Sequence, residues 1–339
     1  MTRKGEQYDG AFDLESLESS LCSGDRRALA RAITLIESKR ADHQAQGTEL
    51  LERLYPKSGH AFRLAVTGAP GVGKSTLIEA LGLHLVDLGY RPAVLAIDPS
   101  SSNTGGALLG DKTRMEVLSR SESAFIRPSP SGDAVGGVAP RTREAMLLCE
   151  ASGFDPIIVE TVGVGQTETA VAELADSVLL LLAPGGGDEL QGLKRGIVEL
   201  ADFVLINKAD GRTKSTANIL AADYSAALSI LGRANDEERV QVQTCSALEG
   251  EGVAEAWRVI EQNMQYFVDS GERVMARANQ ARQWFWIEVK ELLSSDIAQE
   301  SALAIVMSEL ENDVAKGKLL PVVAARRLLK EYRAAHKLG

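Results

Sequence analysis

The chain is poor in cysteine: Cys22, Cys149 and Cys245 are far apart, odd in number and without a C-x-x-C pair. That excludes a disulfide framework and predicts reduced, unpaired thiols. Histidine is also scarce. His43, His60, His84 and His336 are scattered, so no Cys/His cluster has metal-ligand spacing. Basic charge is in deficit: 37 Lys and Arg against 47 Asp and Glu leave a formal net charge of -10, which argues against a nucleic-acid partner. The longest aliphatic run, Val178–Ala183, is far too short to cross a bilayer, so no membrane partner is expected. The stretch from Met1 to Leu14 carries acids and lacks an apolar centre. Neither a secretory signal nor an Arg-rich transit peptide is expected, and the protein is expected in the cytoplasm.

What is present is ordinary for a folded protein: 45% hydrophobic and 25% charged residues over 339 positions. Short aliphatic runs recur at Leu64–Thr67, Ala93–Ile97, Ile157–Glu160, Val178–Leu182, Phe203–Ile206 and Val240–Thr244. Segments long enough for crossover helices separate them. This alternation predicts an α/β fold with a mostly parallel sheet covered by helices on both faces, and ligands at the carboxyl ends of its strands. Helical spacing of Leu14, Leu17 and Leu21, then Leu29, Ile33 and Ile36, predicts an N-terminal helical extension over residues 1–56. The sheet domain is expected over 57–255 and a C-terminal helical arm over 256–339. Within that arm Val274, Ala278, Ala281, Phe285, Val289 and Leu292 form one apolar stripe, widened by Trp284 and Trp286. Such a stripe is either core or a dimer surface. Pro321 is expected to open the last helix.

The chemistry starts at Gly68-Ala69-Pro70-Gly71-Val72-Gly73-Lys74-Ser75, which satisfies G-x-x-x-x-G-K-[ST] in full. A strand-like run, Phe62–Thr67, precedes it and a helical pattern, Thr76 to about Leu88, follows, which is the context this P-loop motif requires. Glycines let several backbone N–H groups converge on one phosphate chain, and the helix start adds partial positive charge. Lys74 is expected to reach the β- and γ-phosphates and Ser75 to hold Mg²⁺, with Thr76 beside the phosphates.

Asn207-Lys208-Ala209-Asp210 follows the run Phe203–Ile206 and reads N-K-x-D. A carboxylate at Asp210 accepts two hydrogen bonds from guanine, where adenine offers no matching pair of donors. Ser246-Ala247-Leu248 follows the next run, where a backbone N–H meets the guanine oxygen. The expected ligands are therefore GTP and GDP.

The metal side departs from small GTPases. In place of D-x-x-G the chain has Glu160-Thr161-Val162-Gly163, so Glu160 is a candidate for Mg²⁺ and the Gly163 N–H for the γ-phosphate. Asp98 ends the second run, where a carboxylate points at the phosphate pocket; the alternative is that it caps the following turn. Asp111, in a Gly-rich stretch, is either a metal-side acid or the cap of a helix beginning near Thr113. Position 164 is Val, not a water-orienting Gln, which predicts slow hydrolysis by the isolated protein. The Gly-rich segment Pro184–Arg195, with Gln191 and Lys194, is the candidate for completing the site; the alternative is a plain loop leading into a helix.

Together these strings resemble the methylmalonyl-CoA mutase-associated GTPases of the MeaB/ArgK type. The resemblance spans about Ala28 to Trp257 and rests most on Leu109–Met115, Glu160–Gln166 and Gly187–Gly192. It implies a homodimer joined by a C-terminal helical arm and slow GTP hydrolysis. It also implies association with an adenosylcobalamin-dependent acyl-CoA mutase, usually methylmalonyl-CoA mutase, whose cofactor delivery from an adenosyltransferase it gates and which it protects. The family's metal-side acids map onto Asp98, Asp111 and Glu160, and its switch loop onto Gly185–Lys194. Rival readings are a metallochaperone GTPase, for which metal-holding Cys and His clusters are lacking, a P-loop kinase, which has little need of a guanine motif, and a scaffold with a degenerate nucleotide site.

Overall fold

The computed structural model describes residues 12–98, 115–130, 141–161, 173–185, 200–230 and 240–336. They form two compact units that divide after Arg273.

The first unit opens with helices α1 (Leu14–Cys22), α2 (Arg26–Ile36) and α3 (Ala41–Leu54). Asp13 and Asp25 cap α1 and α2: Asp13 accepts from the Ser16 N–H at 3.2 Å and Asp25 from the Arg27 N–H at 2.7 Å. Leu17, Leu21, Leu29, Ile33 and Ile36 are buried, as their spacing predicts.

Among the described residues seven strands follow: β1 (Arg63–Thr67), β2 (Ala93–Asp98), β3 (Phe125–Pro130), β4 (Ile157–Thr161), β5 (Ser177–Leu182), β6 (Phe203–Ile206) and β7 (Gln241–Thr244). They pair in the order β3-β2-β4-β1-β5-β6-β7, all parallel. The α/β sheet expected from the sequence is thus observed. Strands β1, β4 and β5 are buried throughout, which is why they read as unbroken apolar runs rather than alternations. The interleaved helices are α4 (Lys74–Asp87), α5 (Glu116–Arg120), α6 (Thr142–Ala151), α7 (Lys214–Ile230) and α8 (Val253–Asp269). One apolar core joins β1 and α4 to Trp257 and Ile260 of α8; a second lies between β6 and α7.

Sequence reading missed β3. Its prolines, Pro128 and Pro130, remove ladder donors and argue against a central strand. Among the described residues the strand lies at the sheet edge, bonded to β2 alone, where proline is tolerated.

Arg63 is 4% exposed within β1, an unusual place for a guanidinium. Its Nε donates to Glu150 Oε1 of α6 at 2.7 Å, and its backbone N–H donates to Asp176 Oδ2 at 2.9 Å. Buried charge is paired here at the amino ends of the strands, opposite the edge where β1 meets α4.

The second unit holds α9 (Glu272–Gln299) from Val274 onward, α10 (Ala304–Ala315) and α11 (Pro321–Ala335), which begins at Pro321 as expected. α9 has no buried residue; Phe285 and Trp286 are each 60% exposed and pack edge-to-face on one another. Among the described residues the apolar stripe is therefore not buried.

Candidate functional site

β1 ends at Thr67, and the turn from Gly68 to Gly73 carries the chain into α4, whose first residue is Lys74. Gly68 (φ 150°), Gly71 (φ 83°) and Gly73 (φ 98°) adopt backbone angles that side-chain-bearing residues avoid. Two of these glycines are also demanded by space: a Cβ at Gly68 would strike the Leu181 carbonyl oxygen, and one at Gly73 would strike Asn207 Nδ2. The turn is a concave cradle lined by backbone, the form that takes a phosphate chain. Lys74 is 7% exposed, with its Nζ 2.7 Å from Gly68 O and 3.1 Å from Ala69 O, which places the ammonium over the same turn.

Ser75 lies next to it and donates from Oγ to Glu160 Oε1 at 2.8 Å. The register Val66↔Glu160 between β1 and β4 brings this carboxylate, 6% exposed, to the first turn of α4. Thr161 Oγ1 donates to Thr67 Oγ1 at 3.1 Å and ties the two strand ends together. A hydroxyl and a carboxylate oxygen in contact form a hard donor pair of the kind Mg²⁺ takes. Asp98 closes β2, the neighbour of β4. Its side chain lies outside the described residues, as do Asp111, Gly163, Gln191 and Lys194. Among the described residues no group of three His, Cys, Asp or Glu is placed to hold a metal ion.

The half carrying the N-K-x-D sequence is built from the ends of β6 and β7, which run in register up to Ile206↔Thr244. Asn207 is 2% exposed, and both polar atoms of its side chain are bonded. Its Nδ2 donates to Val72 O at 2.9 Å, and its Oδ1 accepts from the Ala247 N–H at 2.9 Å. Lys208 takes a left-handed φ of 59° and reaches back so that its Nζ donates to Gly71 O at 2.7 Å. Ala209 N–H donates to Cys245 O at 2.9 Å, and Ser246 Oγ donates to Asp210 Oδ2 at 2.6 Å. The Asp210 carboxylate is thus oriented by a hydroxyl from the neighbouring loop, while Leu248 projects to solvent, 82% exposed. Gly252 closes this loop at φ 77°, where a Cβ would lie 2.6 Å from Thr244 O. Cys245 is 2% exposed beneath Asn207, and burial pushes its thiol up to about 12.

The structure brings the residues from Gly68 to Thr76, Glu160, Asn207, Lys208, Asp210, Ser246, Ala247 and Leu248 to one edge of the sheet, as strand order requires. Sequence reading missed the structural duties of Asn207 and Lys208, which tie the loops after β6 and β7 to the P-loop. Their sole signal was the N-K pair itself, which reads equally well as the start of a turn.

Residues 29–302 match the family model described as methylmalonyl Co-A mutase-associated GTPase MeaB. The GTPase ArgK of Escherichia coli is 49% identical over 271 residues, covering 80% of this chain and 82% of that protein. The mouse protein named methylmalonic aciduria type A homolog, mitochondrial, is 41% identical over 333 residues, covering 95% and 80% respectively. The crystal structure of a LAO/AO transport system kinase superposes with a TM-score of 0.71 at 37% identity, covering 94% of this chain and 97% of that one.

Proposed function

The chain belongs to the MeaB family of methylmalonyl-CoA mutase-associated GTPases and is a GTPase, and from that membership we propose that it serves an adenosylcobalamin-dependent acyl-CoA mutase, gating cofactor delivery from an adenosyltransferase and protecting the loaded enzyme. The observation that carries the nucleotide side is the double bonding of Asn207. One side chain holds Val72 of the phosphate cradle and Ala247 of the base-reading loop, so both halves act as one rigid site.

In this reading the N–H groups between Gly68 and Thr76, with Lys74, offset the phosphate charge. Ser75 and Glu160 hold Mg²⁺, with Asp98 and Asp111 on the same side; the ion supplies neutralisation of charge on the phosphate oxygens. Asp210 accepts from guanine, held in position by Ser246, and the Ala247 and Leu248 backbone faces the base oxygen. Gly163, Gln191 and Lys194 contribute on the γ-phosphate side. Val164 stands where a water-orienting Gln is common, so the protein alone turns over slowly and the bound mutase speeds it.

We further read residues 1–56 as a helical extension, 57–255 as the GTPase domain and 256–339 as the arm. The support for a homodimer through that arm is the exposed stripe of Val274, Phe285, Trp286 and Leu292 on a helix with nothing buried. Among the described residues no helix is long and apolar enough to cross a membrane. The free thiols of Cys22, Cys149 and Cys245 support a reducing, cytoplasmic setting. The test is GTP turnover by the pure protein with and without an adenosylcobalamin-dependent mutase. Acceleration together with co-elution supports the assignment; unchanged turnover and no association removes the mutase.

A further inference from the structure

The helix α5 spans five residues, far fewer than the roughly 12 an isolated helix needs to persist in water. Side chains from two other helices hold its ends. Glu79 of α4 accepts at Oε1 from the Val117 N–H at 2.8 Å and the Leu118 N–H at 3.4 Å. Arg26 of α2 donates from Nη1 to Ser121 O at 2.6 Å and from Nη2 to Ser119 O at 3.3 Å. A carboxylate thus sits at the amino end and a guanidinium at the carboxyl end, each the sign that the helix dipole favours. Between them Leu118 is fully buried against α4, lying so close at Gly82 that a Cβ there would strike its side chain.

The attachment on α4 is not arbitrary. Ser75, Glu79 and Gly82 are separated by four and three residues and share one face of that helix. The face whose first turn contacts Glu160 therefore holds α5 from one turn further on. In sequence, the connection carrying Asp98 and Asp111 returns to the core at Met115, directly ahead of α5, and Met115 is 1% exposed.

We propose that Glu79 and Arg26 are positioning residues for GTP hydrolysis, acting as a pair that locks α5 between the P-loop helix and the N-terminal helices. Neither belongs to the turn from Gly68 to Lys74; Glu79 bonds to α5, and Arg26 to α5 and the residue after it. Each sets where α5 lies relative to Ser75, and together they make the N-terminal helices part of the body that carries the nucleotide site. The inference rests on GTP hydrolysis and is independent of the mutase, because it is tested on the pure full-length chain.

The test compares kcat and KM for GTP in Glu79→Ala, Glu79→Gln, Arg26→Ala and the Glu79→Ala/Arg26→Ala double variant. Glu79→Ala and Arg26→Ala are each expected to lower kcat roughly tenfold while KM stays within about twofold, because geometry and not ground-state binding is lost. Glu79→Gln keeps an acceptor oxygen for the Val117 and Leu118 N–H groups and is expected to retain most of the activity. The double variant is expected to lose little beyond either single one, since one lock is broken twice. Wild-type kcat in both single variants overturns the proposal, as does a Glu79→Gln variant as damaged as Glu79→Ala, or a loss confined to KM. Should Glu79→Ala not fold, Arg26→Ala tests the same lock from the opposite end of α5.

Discussion

Asn207 Nδ2 lies 2.9 Å from the Val72 carbonyl oxygen, joining the loop after β6 to the turn before α4. The same amide nitrogen is the atom that a Cβ at Gly73 would strike. Gly73 is thus required twice, by its φ of 98° and by the approach of Asn207.

Gly73→Ala is therefore expected to break the link between the two halves of the site. A left-handed angle and a displaced Asn207 together cost about 1–3 kcal/mol. Calorimetric titration with GTP should show affinity reduced by at least about tenfold, with secondary structure retained. Unchanged affinity would mean that the Asn207 contact has no part in holding the cradle.

Asp210→Asn keeps the size of the side chain but replaces one acceptor by a donor. Two charge-assisted bonds to guanine are expected to weaken, lowering GTP affinity roughly 10²-fold while ATP binding stays as poor as before. Xanthosine triphosphate, which presents a carbonyl where guanine has its amine, should gain relative to GTP. Competition binding with the three nucleotides checks the order. An unaltered preference for GTP removes Asp210 from base recognition.

The Arg63–Glu150 pair, with side chains 5% and 0% exposed, can be tested by urea unfolding. Arg63→Met or Glu150→Leu alone breaks the buried pair and is expected to cost about 3–5 kcal/mol. The double variant removes both charges and is expected to be less destabilised than either single one. A double variant as unstable as the sum of the two would show that the cost lies in packing, not in breaking the pair.

Cysteine chemistry gives a pH-dependent readout. Cys22 is exposed, whereas Cys149 and Cys245 are buried and burial raises both thiols, Cys245 to about 12. In native protein near pH 8, mass spectrometry after iodoacetamide should show label on Cys22 alone. In the unfolded chain a cysteine ionises near its ordinary value of about 8.5, while folded Cys245 stays protonated far above that. Its contribution to stability is therefore full below about pH 8.5 and is lost as pH climbs toward 12. Substituting Cys245 by Ala should flatten that alkaline decline, and an equally steep decline in the variant would assign it to other groups.

The parts of the site legible in sequence are those encoded within a few residues. The turn from Gly68 to Ser75 needs only its own glycines and the strand and helix beside it, so both the cradle and the start of α4 were readable in advance. Strands β1, β4 and β5 were equally plain, because burial on both faces leaves unbroken apolar runs. β3 was not, because its prolines mimic a loop and only its edge position makes them acceptable. Glu79 and Arg26 gave no signal, since a surface carboxylate and guanidinium on amphipathic helices look like solvated charge.

The sequence alone determined the local backbone: which segments alternate as strand and helix, where the phosphate-cradling turn lies, and which carboxylates stand at strand ends. Those outcomes depend on hydrophobic period and on glycine's access to positive φ, both properties of neighbours in the chain. Only the tertiary structure decided which distant groups meet, such as Glu160 with Ser75 across 85 positions or Arg26 with Ser121 across 95. Such contacts follow from strand order and helix packing. These are set by burying the whole core at once, so no short stretch of residues can encode them.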